Sequence, residues 1–386
     1  MFVRVAYKEK ERILINALKH APLAKAEFSG SGVAPFVGRF GYPFVNVGLL
    51  APPQIEAEAW KFDAPRFWAQ TNHQIPEIVN YRAGLINSSQ KSSVKQPEKV
   101  VEIAQEIAMA TKPVDVDIQL EKAPRASIRP DQWTAPMGPQ GKLKSIALTQ
   151  NPHIPAKVEK FFDDKGALAT EAITTLYQKE MDENSLARML SIGVFGKQRK
   201  LVPTRWSITA TDDMLANHFL EGVRELPIGD FAVYAGEYLG NNYLILMFPE
   251  RWRYELFELY AKSENVQYSS DYERFEGRKD YAKNCAGGYY TVRMALAEYM
   301  KKQKRQSSVL ALRFITDEYV LPLGVWVTRE ATRKALASKP ILFGSKELTL
   351  TYAKHWAKKK FGIDIAPLLE KSNILKEKDV SLTDWA

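Results

Sequence analysis

Residues 231–248 read FAVYAGEYLGNNYLILMF, two apolar runs on either side of the tetrapeptide LGNN. Phe231–Tyr238 and residues 243–248 are short, aromatic and aliphatic, which is the signature of strands. Gly240 and Asn241 suit the backbone of a tight turn, so the two runs form a hairpin. Their near-continuous apolarity predicts cover on both faces and a central place in the sheet. A second strand pair is expected at Ser308–Ile315 and residues 319–327. Adjacent strand pairs favour antiparallel order. The expected class is α+β: a mixed, largely antiparallel sheet with surrounding helices and a flexible C-terminal tail.

Outward from this hairpin, apolar periodicity predicts helices over residues 8–20, 99–111, 167–179, 185–192, 212–224 and 288–305. Further helices are expected to begin near Arg329 and Leu348. VDVDIQL at Val114–Leu120 alternates as a strand, and residues 206–210 read as another. Residues 84–97, which include SSQKSS, read as a solvated loop. Between 122 and 142 stand four prolines and two glycines, a density hostile to regular structure. That segment is the expected connector between an N-terminal region (1–121) and a C-terminal region (143–370), followed by a tail at 371–386.

Composition narrows the function classes. A chain of 386 residues with 45% hydrophobic and 26% charged residues can bury a large core and is not a disordered one. It has no apolar run long enough for a membrane helix and no secretory leader pattern in its first thirty residues. Cys285 is the sole cysteine, which rules out an internal disulfide and any cysteine-based zinc finger within the chain. His73, His153, His218 and His355 keep no metal-ligand spacing. The expectation is a cytoplasmic protein with no membrane contact, no metal and no cofactor. Its net charge of +9 suits a polyanionic partner such as DNA.

Candidate contact residues lie in several motifs. In LVPTRWSITATDD (201–213), Arg205 offers a bidentate donor to phosphate or carboxylate and Trp206 a stacking face. Asp212 and Asp213 are expected to open a helix, where acids in the first turn complement the dipole. FVGRFGYP (36–43) sets Arg39 among glycines that serve either close ligand approach or turns. Glu237 closes the first strand of the hairpin, either as a base or metal ligand with Asp271 or Asp213, or simply as the first exposed residue before the turn. Arg278 sits in FEGRKDYA. Lys301, Lys302, Lys304 and Arg305 end the helix at 288–305, either as a solvated dipole cap or as a phosphate contact. No P-loop, HExxH or GxSxG occurs.

FVGRFGYP, TKPVDVDIQLEK, APMGP, NPHIPAKVEK, RKLVPTRWSITATDD, GEYLGNNY, FEGRKDYA, AGGYY, RQSSVLALR and LPLGVWVTRE follow one another in order along nearly the whole chain. In these runs the sequence resembles the archaeal Nre family of DNA-repair proteins. The resemblance implies a DNA-damage repair factor recruited to DNA by the sliding clamp, PCNA, through a C-terminal clamp-interacting peptide. Here that peptide is DVSLTDWA, with Leu382 and Trp385 as the apolar plug. Asp379 stands where the family pattern has glutamine, and Ala386 where it has a second aromatic. The family's cysteine-rich N-terminal segment has no counterpart before Val33.

Two other readings compete with a repair factor. An enzyme acting on nucleic acid or a nucleotide would gather Arg39, Arg205, Asp212, Asp213, Glu237 and Arg278 in one cleft. A basic RNA-binding module would need only the cationic surface.

Overall fold

Two six-stranded sheets, rather than one, carry the α+β fold of the computed structural model, which describes residues 2–23, 25–94, 98–125, 136–261 and 267–376. Each sheet belongs to its own compact unit. The N-terminal unit is residues 1–215 with 320–324, and the C-terminal unit is 216–319 with 325–386.

The N-terminal unit begins α1 (Phe2–His20), β1 (Glu27–Gly32), β2 (Ala34–Val37), β3 (Phe44–Ala51), α2 (Pro65–Gln70) and α3 (Ile75–Ala83). It continues β4 (Ile86–Ser93), α4 (Lys99–Met109), β5 (Val114–Leu120), β6 (Gln140–Leu148), α5 (Ala156–Asp163), α6 (Ala169–Gln178) and α7 (Glu183–Ser191). The first part of α8 (Thr204–Val223) closes it. Strand order is β1-β5-β6-β4-β3-β2, parallel only between β4 and β6. Helix α4 buries Val100, Ile103, Ala104 and Ile107 and packs against β2, β3 and β6.

Two expectations fail here for one physical reason. The serine-rich run at 86–93 is a strand, not a loop: β4 pairs with β3 from Phe44↔Ser93 to Ala51↔Ile86. Asn87, Ser88 and Ser92 are buried within it. Hydrogen bonding from both neighbours overrides the weak strand propensity of serine. Likewise, the expected strand at 206–210 and helix at 212–224 are one 20-residue helix, α8. Its interior stripe starts with Ser207 and Thr211 before reaching Leu215, Leu220 and Val223, so apolarity alone does not trace it.

The C-terminal unit follows with β7 (Phe231–Tyr238), β8 (Asn241–Phe248), β9 (Arg253–Tyr260), β10 (Tyr268–Glu273), α9 (Ala286–Gln303) and β11 (Ser308–Ile315). Then come α10 (Trp326–Leu336), β12 (Ile341–Phe343), α11 (Lys346–Phe361), α12 (Ala366–Leu369) and α13 (Asn373–Lys376). The order is β10-β9-β11-β8-β7-β12, parallel only between β9 and β11. The hairpin that opens this unit turns on Leu239 (φ 50°) and Gly240 (φ 71°) alone, with Tyr238 already paired to Asn241. Two left-handed residues in sequence match the twist of the flanking strands. The strand expected at 319–327 does not form. Pro322 lacks a ladder donor and Gly324 takes φ 106°, after which the chain enters α10.

Alternation divides the two faces of this sheet. Leu244, Leu246, Phe248, Phe257, Leu310, Leu312 and Phe314 meet Ala353 and Ala357 of α11 and Ile365, Leu368 and Ile374 beyond it. Each such side chain contributes about 1.5–3 kcal/mol on burial. Glu255 points to the same side as a buried carboxylate and accepts from Ser372 Oγ at 2.6 Å, Asn373 Nδ2 at 2.8 Å, and the backbone N–H groups of Asn373 and Ile374. It therefore caps α13.

The other face is polar at its heart. Glu273 accepts from Trp252 Nε1 at 2.9 Å, Tyr289 Oη at 2.8 Å and Arg293 Nε at 2.9 Å. Arg313 binds Glu258 and the side-chain oxygen of Asn241. Among the described residues no helix is long and apolar enough to cross a membrane.

Candidate nucleic-acid interface

The two most distinctive motifs of the N-terminal unit meet. Strand β2 ends at Val37, and its N–H donates to Thr204 Oγ1 at 3.0 Å, at the start of α8. Ser191 Oγ lies 3.2 Å from the same oxygen and donates to the Val202 carbonyl at 2.8 Å. Thr204 thus accepts from Val37 and donates to Ser191, which fixes PTRW beside the β2–β3 turn. That turn is closed by Gly38 N–H donating to Asn46 O and Phe44 N–H donating to Gly41 O, both at 2.8 Å. Gly41 has φ 87°, and a Cβ there would stand 2.7 Å from the Phe44 carbonyl oxygen. Only glycine fits.

What this frame displays is unusual for a surface. Phe40 is 75% exposed, Tyr42 59%, Phe44 57% and Trp206 54%. Scattered single hydrophobics need no explanation, but four aromatics on one turn and the adjoining helix start do. Cations accompany them. The Arg39 guanidinium lies 4.5 Å from the Phe40 ring centroid, and Arg205 precedes Trp206 on the first turn of α8. On β3, Phe44 and Asn46 face outward together, and exposed Lys91 of β4 is the register partner of Asn46. Aromatic faces with interspersed guanidinium and ammonium groups can stack on bases and neutralise phosphates.

The remaining candidates have other surroundings. Asp212 and Asp213 do not open a helix; they lie in the third turn of α8, Asp212 fully buried and Asp213 half-buried. Glu237 is exposed and pairs with Lys360 at 2.7 Å. Arg278 is occupied structurally: it donates to the carbonyls of Tyr272 (2.7 Å) and Asp280 (3.1 Å) and lies 3.3 Å from Asp271. Lys301, Lys302, Lys304 and Arg305 are all exposed at the end of α9, whose left-handed cap is Lys304. Arg39, Arg205, Trp206, Asp212 and Asp213 belong to the N-terminal unit, and Glu237, Arg278 and the α9 cations to the C-terminal one. Asp379, Leu382, Trp385 and Ala386 lie outside the described residues.

Cys285 has the environment of a packed thiol. Burial, and then the Glu258 charge, push it well above the ordinary thiol range, away from a reactive thiolate. Among the described residues no group of three His, Cys, Asp or Glu side chains could hold a metal ion.

Sequence reading singled out Arg39, Arg205 and Trp206 but passed over Phe40, Phe44 and Lys91. Lys91 was hidden by the loop reading of β4. The exposed aromatics could have been found from the Phe44-Val45-Asn46-Val47 alternation, which leaves Phe44 on the side of a polar residue.

Comparison with known proteins finds one family along most of the chain, with its profiles divided downstream of the boundary between the two compact units. The profile described as "Archaeal Nre, N-terminal" matches residues 10–265, and "Archaeal Nre, C-terminal" matches 273–385. The DNA repair protein NreA of Haloferax volcanii is 33% identical over 323 residues, covering 79% of this chain and 77% of the relative. NreA of Archaeoglobus fulgidus is 35% identical, covering 84% of each chain. The DNA repair protein NreB of the same organism is 31% identical, covering 88% of this chain and 87% of the relative. No solved structure matches the chain.

Proposed function

The chain belongs to the archaeal Nre family, and from that membership we propose that it is a DNA-repair protein that engages single-stranded DNA through the aromatic and cationic patch of its N-terminal unit. The observation that supports this reading is the Val37–Thr204 hydrogen bond, which joins the strand end just before Arg39, Phe40, Tyr42 and Phe44 to the helix start that carries Arg205 and Trp206. Stacking tolerates any base, since every base offers a π-face, and the arginines add phosphate contacts. The test is fluorescence anisotropy with a labelled single-stranded oligonucleotide, comparing the full chain with Trp206→Ala. The reading expects measurable binding that weakens in the variant; equal binding by both would overturn it.

Recruitment by the sliding clamp, and with it a cytoplasmic site of action on the chromosome, is the second part of the proposal. It rests on Leu382 and Trp385, three residues apart, which one helical turn would place on one side as an apolar plug. Asp379 and Ala386 depart from the usual pattern and should weaken docking. Deleting residues 379–386 is expected to abolish capture by immobilised clamp while the melting temperature holds. Undiminished capture would sink the docking claim.

A further inference from the structure

Helix α11 presents a second charged surface, on the C-terminal unit and distinct from the aromatic patch. Its sequence, KELTLTYAKHWAKKKF, carries five lysines against one glutamate, and that glutamate is in the first turn. Ala353 and Ala357 are fully buried against the sheet, so the opposite side of the helix faces solvent. On that side stand Lys354, His355, Lys358 and Lys359, all exposed.

Three local explanations account for only part of this set. The helix dipole favours cations in the last turn, which covers Lys358, Lys359 and Lys360 but not Lys354 or His355 a turn earlier. Lys360 is consumed by its ion pair with Glu237 at 2.7 Å and by its position 5.4 Å over the Trp356 ring. Lys358 donates forward to the Gly362 carbonyl at 3.3 Å. Lys354 and Lys359 have no ion-pair or hydrogen-bond partner among the described residues. Lys354 and Lys358 are also like charges at i and i+4, an arrangement that weakens a helix by itself. An external anion would reverse that penalty.

We propose that the outward face of α11 is a contact for the sugar–phosphate backbone of duplex DNA. Charge complementarity selects a polyanion, and the chemistry of the face selects the duplex form. Unlike the N-terminal patch, it offers no exposed Phe, Tyr or Trp: Trp356 is half-buried, packed on Phe314 and Phe361 and covered by Lys360. A face of ammonium groups without a stacking surface positions phosphates and does not read unpaired bases. From Lys354 to Lys359 the helix rises about 7.5 Å. Along a duplex axis that length carries about four phosphate charges, enough for each cation of the face to meet one.

The experiment is a salt series of duplex-DNA binding by the full chain, plotted as log affinity against log salt. Replacing Lys354→Gln with Lys359→Gln should flatten the slope by about 1.8, since each lost phosphate contact removes about 0.9. The pair Lys354→Arg with Lys359→Arg keeps the charge and should keep the slope, which controls for damage to the helix. An unchanged slope in the glutamine pair overturns the proposal. So does a slope that responds only to Lys301→Gln with Lys302→Gln, which would move the contact to α9. Tighter binding of an RNA duplex than a DNA duplex of the same sequence overturns the choice of DNA. Trp206→Ala is measured on single strands, so failure of either reading leaves the other separately judged.

Discussion

The β2–β3 turn with the start of α8, and the outer face of α11, are both cationic, yet they are built from different chemistry. The first sets Arg39 and Arg205 among four exposed aromatics on a frame locked by Thr204. The second sets Lys354, Lys358 and Lys359 on a helix whose aromatics are turned inward or covered. Arginine's planar, weakly hydrated guanidinium works alongside rings; lysine is a strongly hydrated point charge on a flexible stem. Net charge, the one cue shared by both, therefore does not say which form of a polyanion a surface suits. Neighbouring aromatics do.

The largest effect expected from breaking this contrast is on single strands. Phe40→Ala combined with Trp206→Ala removes two stacking faces worth about 1–3 kcal/mol per base, so single-strand affinity should fall at least roughly tenfold. Duplex affinity, read in the same anisotropy assay, should change far less. Equal losses on both ligands would collapse the distinction. A smaller effect is expected from Thr204→Val, which keeps every aromatic but leaves the Val37 N–H without its acceptor. That should cost about 1–3 kcal/mol, seen as a lowered melting temperature, and should weaken single-strand binding with Trp206 intact. Smallest of all is Glu237→Gln. Its exposed pair with Lys360 is worth about 0–1 kcal/mol, so the melting temperature should barely move. Single-strand affinity should stay constant, while duplex affinity rises slightly as a negative charge beside α11 is lost.

Much of the fold was legible because apolar period and turn chemistry agree along most of the chain. The hairpin at 231–248, strand β5 and helices α4, α6 and α9 follow directly from their patterns. The failures share a cause. In β4 and α8 the interior is lined by serine, threonine, asparagine and aspartate, so a rule that equates interior with apolar cannot trace them. The same error displaced the site: once α8 is one helix, Asp212 and Asp213 move from its opening to its middle, and Arg205 and Trp206 take the opening instead. Arg39 and Arg205 were recognisable as donors by residue type. The joining of the two segments that carry them was not, because it depends on a hydrogen bond between residues 37 and 204, which no local pattern encodes. The outward set of α11 lysines is defined only by the burial of Ala353 and Ala357 against the sheet, a tertiary fact that their spacing does not state.

The buried carboxylate of Glu255 has a mechanical consequence. By capping α13 it ties residues 372–374 to the middle strands of the C-terminal sheet, so Lys376 marks a fixed mooring for whatever follows. Trp385 is the ninth residue after Lys376, and a chain of that length spans at most about 30 Å. A partner that shares the same DNA would therefore meet Leu382 and Trp385 on a short leash from α13, at a local concentration in roughly the millimolar range. Under such a leash even a weak plug is re-engaged soon after it lets go.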